Sequence, residues 1–443
     1  MIGPMAYRWR SCHGSQSVGP IVRVRAIDLS VGYFGLQIAF GIQSASLSRV
    51  FQGLGASVDQ LAILWLAGPV TGLLVQPVVG ALSDRAPTRF GRRRPYILLS
   101  ALVVIAALAA LPLAASLVVA VAAVWMLEAA MNALHAPYRA LVADTLPPDE
   151  HARGYAMQTV FIGLGALAGA CAPILLAWGG WSNVALPGQT APSIRVAFVA
   201  AAIAVALSVG WTVARVQEPP GSGAGDDKAA ATMGRKAEVA ALWHALRPVA
   251  VIQFFSWFGL YLLWVYATPV VAAQLYGATS PFDAAYGKGA DFVGVLFGTY
   301  NGVAGVFAFL LPRLFRRFGV TRVHAAALAL GAAGLSGLAL LTHPAGLIGC
   351  AVLIGIAYAS ILSAPFVLAG RAVSSATAGM FIGVMNIFIV VPQLFAGVSM
   401  GWVIAHLLGG MAWPVLPLAG GLMAAGALLS LCLSGMDERD ATA

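Results

Sequence analysis

The sequence predicts an all-α integral membrane protein, with about twelve transmembrane helices in two six-helix halves related by pseudo-symmetry. Three observations predict it. Of the 443 residues, 60% are hydrophobic and only 9% are charged, against about 25% charged in a soluble domain. The apolar residues gather in about twelve stretches, each near the roughly 20 residues that a helix needs to cross a bilayer. Between the sixth and seventh stretches the composition turns polar and rich in Gly, Pro and charge ("QEPPGSGAGDDKAAATMGRKAEVAALWHALRP"), as a linker does.

Taken in order, residues 1–27 hold Arg8, Arg10, Arg23 and Arg25 with no apolar core. They read as a cytoplasmic arm and not as a cleavable signal peptide. Spans are expected at 28–52, 61–82, 95–116, 118–145, 154–176 and 196–215, forming an N-terminal half over 28–215. The linker covers 216–248. Spans at 249–274, 291–315, 323–342, 345–367, 378–404 and 413–434 form a C-terminal half over 249–434, and 435–443 is a cytoplasmic tail. Many spans contain Gly and Ala, which let helices approach where lipid supplies no hydrophobic drive.

Charge orients the chain. Arg49, Arg195 and Lys288 are the basic residues expected in outer loops, and Arg139 lies within a span. All other Lys and Arg fall on one side, which the positive-inside rule makes cytoplasmic. A multi-pass protein of a bacterial inner membrane, with both termini in the cytoplasm, is expected. The net charge of +9 comes from these loop clusters and does not point to nucleic acid. Cys12, Cys171, Cys350 and Cys432 are scattered and show neither disulfide nor metal spacing. No cofactor is expected.

After the second span comes "GALSDRAPTRFGRRRPYIL", and six spans later comes "LLPRLFRRFGVTRV". Basic turns at equivalent positions suggest repeated halves, as in many secondary transporters. The alternative is two unrelated basic turns, which positive-inside alone would yield. Asp84 faces Arg92, Arg93 and Arg94 across the turn at Gly91. Opposed charges there suit a gating latch between the second and third helices, or a static loop that sets topology.

Glu128 is the only Asp or Glu expected well inside a span. About ten residues from the helix start, at 1.5 Å each, it lies roughly 15 Å deep in a ~30 Å core. An intramembrane carboxyl is costly and therefore a functional candidate. Removal from water favours the protonated acid, which makes Glu128 a candidate proton carrier. The competing reading is a neutral acid hydrogen-bonded to a neighbouring helix. Glu128, Asn132, His135 and Arg139 follow i, i+4, i+7, i+11 and share one face within about 60°. Glu128 and Arg139 are about 16 Å apart along the helix, so something of disaccharide length spans both. Arg139 has a rival reading as a residue snorkelling to the interface, and His135 reads as structural.

The stretch "LWLAGPVTGLLVQPVVGALSDRAPTRFGRRRPYI" resembles the glycoside–pentoside–hexuronide cation symporters of the major facilitator superfamily, in the branch of plant sucrose transporters and bacterial maltose and sucrose permeases. The resemblance continues through "FGLQIAFGIQSASLSRVFQGLGA", "YAMQTVFIGLGALAGACAP", "IQFFSWFGLYLLWVYATPVV", "GVLFGTYNGVAGVFAFLLP" and "GMFIGVMNIFIVVPQL". The fourth helix of sucrose transporters carries a pattern like W-x-L-D-x-x-N-N followed by G-P-x-R-A-L. Here it reads Trp125, Leu127, Glu128, Asn132, then Ala136, Pro137, Arg139, Ala140 and Leu141. The resemblance implies proton coupling at Glu128, where Glu replaces the family's Asp, and sugar binding at Arg139. The histidine of plant members near the first outer loop is not identifiable. The arm and the linker lie outside the resemblance.

A sugar site needs many hydrogen-bonding groups and an aromatic face. Asn132, Gln37, Gln43, Gln158, Asn301 and Asn386 are the amide candidates, with Ser46 and Gln393 beside them. Trp257 leads the aromatic candidates, ahead of Phe34, Trp264 and Tyr300, each of which packing or an interface belt also explains. The expected function is a monomeric, proton-coupled symporter importing a disaccharide or α-glucoside by alternating access. It is not an enzyme, because no bond changes. A facilitator or exporter of another small metabolite on the same fold stays open, as does a non-transporting sensor or pigment-assembly factor.

Overall fold

The computed structural model describes residues 26–85, 88, 90–147, 150–216, 218, 235–370 and 378–440. Residues 1–25 of the arm, 217 and 219–234 of the linker, and 441–443 of the tail lie outside the described residues, and so does the side chain of Asp84. The first part of the chain forms α1 (Ala26–Gly53), α2 (Leu61–Leu64), α3 (Ala67–Arg85), α4 (Arg94–Ala110), α5 (Leu117–Thr145), α6 (His151–Trp178) and α7 (Pro192–Arg215). The second part forms α8 (Arg235–Tyr276), α9 (Ala284–Ala308), α10 (Leu311–Phe318), α11 (Val320–Leu340), α12 (Pro344–Gly370), α13 (Ala378–His406) and α14 (Val415–Asp440). Among the described residues, 11 segments are long and apolar enough to cross a membrane. The long helix α1 stands beside them, made more polar by Gln37, Gln43, Arg49 and Gln52. The protein is a multi-pass, all-helical bundle.

The long helices alternate in direction. One end of the bundle carries Arg92, Arg93 and Arg94 and is called the basic end below; the other is the far end. At the far end the last residue of α1 meets the chain between α6 and α7, where the Gly188 N–H donates to the Gly53 carbonyl at 3.1 Å.

Boundaries shift by several residues at many helix ends, and most at three places. Helix α8 starts at Arg235, inside the expected linker. Its first turns, "RKAEVAALWHALR", are almost all good helix formers; the linker's glycines, Pro219 and Pro220 precede them, and Pro248 lies inside the helix. The expected eighth span, 291–315, is instead α9, which stops at Ala308, followed by the separate short helix α10. Gly319, at φ 83°, supplies the left-handed backbone that turns the chain from α10 into α11. At its other end α9 begins at Ala284, seven residues earlier than expected. The glycines of this segment, expected in an outer loop, allow close packing: a Cβ at Gly287 would come within 2.8 Å of the Asn183 carbonyl oxygen. The Asp283 carboxylate accepts the N–H groups of Thr279 and Ser280, both at 2.9 Å, just before the helix. These bonds hold its carboxyl below the usual carboxylate range.

The early start of α9 puts Asp291 inside a candidate span, so Glu128 is not the sole intramembrane acid. Arg49, Arg195 and Lys288, expected in outer loops, lie in α1, α7 and α9.

Close packing by small residues carries the architecture. Helix α1 packs on α6 and α7, α3 on α5, α6 on α9, and α11 on α12 and α14. Along α1 and α6, a Cβ at Gly41, Gly165 or Gly169 would collide with the backbone of the opposite helix. Between α6 and α9, a Cβ at Gly298 would lie 2.8 Å from a Leu167 methyl and 3.0 Å from the Cys171 sulfur. Further toward the far end the Ser48 hydroxyl donates to the Val265 carbonyl at 2.7 Å, and the Tyr261 hydroxyl to the Ala62 carbonyl at 2.5 Å.

Candidate functional site

Helix α5 presents Glu128 and Asn132 to α3, and the seam is built to fit them. On α3, Gly68, Gly72 and Gln76 recur every fourth residue, the spacing that lines one helix face. A Cβ at Gly68 would lie 3.3 Å from the Glu128 carboxyl, and one at Gly72 would lie 3.4 Å from Asn132 Oδ1. Two absent side chains on α3 thus make room for two polar ones on α5. Counting from Leu117 at about 1.5 Å per residue, Glu128 is about 16 Å along the helix.

The polar groups in this seam are linked. Gln43, buried on α1, donates through Nε2 to Glu128 Oε1. Asn132 Nδ2 donates to Thr71 Oγ1 and to the Glu128 carbonyl, both at 3.0 Å. Gln76 Nε2 donates to Asn132 Oδ1 at 2.8 Å, and the Thr71 hydroxyl donates to the Ala67 carbonyl at 2.7 Å. No cation is among the described partners of Glu128. The Oε1 atom of Gln43 is buried with no partner. One amide therefore offers Glu128 a donor in use and an acceptor in reserve. That combination serves both a carboxylate and a carboxylic acid.

One turn on, His135 stacks on Tyr33 of α1, with ring centroids 6.0 Å apart. Tyr138 meets Tyr33 edge-on at 4.7 Å and donates to Thr212 Oγ1 of α7 at 2.8 Å. Thr212 in turn donates to the Asp28 carbonyl at 2.8 Å. The lower part of the stripe thus ties α5 to α1 and α7. Arg139, the last member, is exposed, and among the described residues it makes no hydrogen bond or ion pair.

The structure brings Glu128, Gln43 and Asn132 into one network; the other expected substrate-binding residues stand apart from it. Gln37 and Gln158 are buried on α1 and α6, and Gln158 Nε2 has no partner. In the second half Trp257 packs on Trp264 at 6.3 Å between centroids, and Trp264 Nε1 donates to the Tyr300 hydroxyl at 2.9 Å. Asn301 donates to the Phe297 carbonyl of its own helix at 2.8 Å. Asn386 is half-buried on α13.

At the basic end Arg92 and Arg93 form ion pairs with Asp144 of α5 at 2.6 and 3.0 Å. Arg93 also donates to Ser83 Oγ at 2.7 Å. Glu218, just beyond α7, accepts the backbone N–H groups of Arg92, Arg93 and Arg94 at 2.7, 2.9 and 2.7 Å. A carboxylate at a helix N-terminus satisfies donors that the helix leaves open. Gly91, at φ 98°, makes the turn that aims them. Sequence reasoning missed Asp144 and Glu218, which lie far away along the chain.

At the far end Arg49 and Asp291 form a buried pair at 3.7 Å, with side chains 4% and 11% exposed. Asn183, in the connection between α6 and α7, joins them: its carbonyl groups accept from Arg49, and its Nδ2 donates to Asp291. Tyr286 donates to Gln52 alongside. This network stitches α1 and the α6–α7 connection to α9.

The model of the Major Facilitator Superfamily matches residues 29–290. The chain belongs to the major facilitator superfamily. It is accordingly a transporter and not an enzyme. Among relatives of this superfamily member, Sucrose transport protein SUC4 of Arabidopsis thaliana is 25% identical over 83% of this chain and 81% of its own. Sucrose transport protein SUT5 of Oryza sativa is 26% identical over 88% of this chain and 83% of its own. The General alpha-glucoside permease of Schizosaccharomyces pombe is 28% identical over 55% of this chain and 47% of its own. Among solved structures, the nucleoside transporter NupG superposes with a TM-score of 0.72 at 12% identity, covering 92% of this chain and 99% of its own. A bacterial homolog of the human lysosomal transporter Spinster, inward-facing and unoccupied, gives 0.65 at 14%, covering 94% and 96%. These structures share the major facilitator fold.

Proposed function

We propose that this protein is a proton-coupled symporter that imports a disaccharide or α-glucoside, of the sucrose or maltose class, by alternating access. One observation carries the coupling: Glu128 sits mid-helix with no described counter-cation, beside a glutamine that can serve either of its protonation states. A carboxylate ion at that depth without a partner is costly, so a group that takes up and releases a proton suits the place. The names of the relatives, sucrose transport proteins and an alpha-glucoside permease, support the substrate class.

In this reading residues 28–215 and 249–434 rock against each other about the membrane midplane, where such sites lie. Sugar meets Arg139, Asn132 and Gln43 from the first half, with Gln37 and Gln158 nearby, and Trp257, Asn301 and Asn386 from the second. Arg92, Arg93 and Arg94, with Asp84, belong to a latch on the cytoplasmic side, where both termini also lie. The far-end network around Arg49 closes the outer side.

The test is uptake of labelled sucrose and maltose by proteoliposomes, with and without an inwardly directed proton gradient. One pH unit is worth about 1.4 kcal/mol, so one-to-one coupling supports up to about tenfold accumulation. Uptake that only equilibrates would make the protein a facilitator. Accumulation driven by sodium and not by protons would replace the coupling ion. No uptake of any sugar would overturn the substrate class.

A further inference from the structure

Away from the polar seam, the surface between α9, α10, α11 and α12 has a shape that bilayer contact alone does not require. Two apolar cavities of about 320 and 330 Å³ meet there. Phe307 and Ile356 line both, and Gly302 and Leu310 extend the first, while Leu314, Phe318 and Arg322 close the second. The two adjoin at Phe307 and Ile356 to make one open, channel-like apolar groove along α9.

Helix α10 forms the mouth of that channel, and its eight residues divide sharply. Leu311, Leu314, Phe315 and Phe318 follow i, i+3, i+4, i+7 and share a face, while Arg313, Arg316 and Arg317 share the opposite one. Leu311 is buried in a cluster with Ala304 and Ala359, and Phe315 packs against it, so the start of the apolar face is turned inward while Phe318 at its end stays exposed. All three arginines are exposed. The Arg317 guanidinium lies over the ring of Phe318, 5.1 Å from its centroid, so one cation is held beside a residue that lines the channel. A helix of this pattern lies in the interface plane, with its basic face at headgroup level. No Asp or Glu occurs between Asp291 and Asp437, so the arginines of α10 have no carboxylate in the surrounding 145 residues. Basic pockets between transmembrane helices recognise anionic headgroups.

We propose that this channel binds one anionic phospholipid, with an acyl chain packed around Phe307 and the headgroup phosphate held by the arginines of α10. The site is independent of the sugar and proton reading. The channel supplies the length and the arginines supply the charge selection; neither feature alone would distinguish this lipid from its neighbours.

The experiment titrates purified, delipidated protein with phosphatidylglycerol and with phosphatidylcholine of the same chains, and counts bound lipid by native mass spectrometry. The wild type should bind phosphatidylglycerol at least tenfold more tightly. Replacing Arg313, Arg316 and Arg317 together by Gln should abolish that preference while phosphatidylcholine binding persists. Gly302→Leu fills the channel where a Cβ would meet nothing within 4 Å, so it should weaken both lipids without disturbing the fold. Unchanged thermal unfolding of each variant separates loss of the site from loss of structure. Equal wild-type affinity for the two lipids would overturn the proposal. So would a preference that survives the triple replacement, or glycerol phosphate displacing the lipid at similar concentration, which would make this an anion site with no use for the channel.

Discussion

The carboxyl group of Glu128 on α5 occupies a gap left by Gly68 on α3, where a Cβ would stand 3.3 Å from both carboxyl oxygens. At that distance a single methyl group forces its neighbour to move by a few tenths of an ångström. Gly68→Ala should therefore slow sugar exchange in proteoliposomes several-fold with little change in folded yield. Gly68→Val, branched at the same point, should slow it further. Equal rates across the series would mean that the seam is loose.

Glu128→Gln tests the coupling itself. Glutamine imitates the protonated acid but has no proton to release. The variant should bind sugar and exchange it across the membrane, yet fail to accumulate it, and its exchange should lose most of its pH dependence. Accumulation with normal proton dependence would assign Glu128 a structural role and move the coupling group elsewhere.

Arg139→Lys separates sugar binding from snorkelling. Lysine keeps the charge and the reach to the interface but loses the planar set of donors that grips hydroxyl groups. Sugar affinity should fall at least tenfold. Unchanged affinity in equilibrium binding would show that Arg139 serves the interface.

The Arg49–Asp291 pair lends itself to a double-mutant cycle. Removing one member of a buried pair leaves an uncompensated charge and costs about 3–5 kcal/mol. Arg49→Gln and Asp291→Asn should each lower thermal stability strongly, and the double variant should regain much of the loss. If the pair closes the outer side, the double variant should also bind an outward-acting inhibitor or label more readily. Additive losses would show that the two side chains do not act together.

Much of this was legible in the sequence because the membrane enforces simple rules. Hydropathy marks the spans, and the α5 stripe emerges from helical period alone, since Glu128, Asn132 and His135 have no polar neighbours to confuse it. Gln76 was legible too, at the same spacing as Gly68 and Gly72, but a lone amide in a span draws less notice than an acid. Asp291 was misplaced for a physical reason. "AAYGKGAD" has the glycine content of a loop, and only the packed neighbours, Asn183 and Ala272, show that the glycines serve close approach. Asp144 and Glu218 were invisible as partners of the arginines, because no local pattern says which distant carboxylate a basic turn will meet.

The hold of Glu218 on the backbone of Arg92, Arg93 and Arg94 also sets a clock on biosynthesis. The bonded groups are as much as 126 residues apart, and chains emerge at about 5–20 residues per second. The start of α4 thus waits roughly 6–25 seconds for the carboxylate that completes it. During that interval the backbone donors of Arg92, Arg93 and Arg94 at the basic end lack the acceptor that they have in the finished fold. Only when α7 has been threaded does the first bundle become a finished object, so a ribosome stalled before residue 218 would leave a nascent chain whose basic turn is still open to proteases.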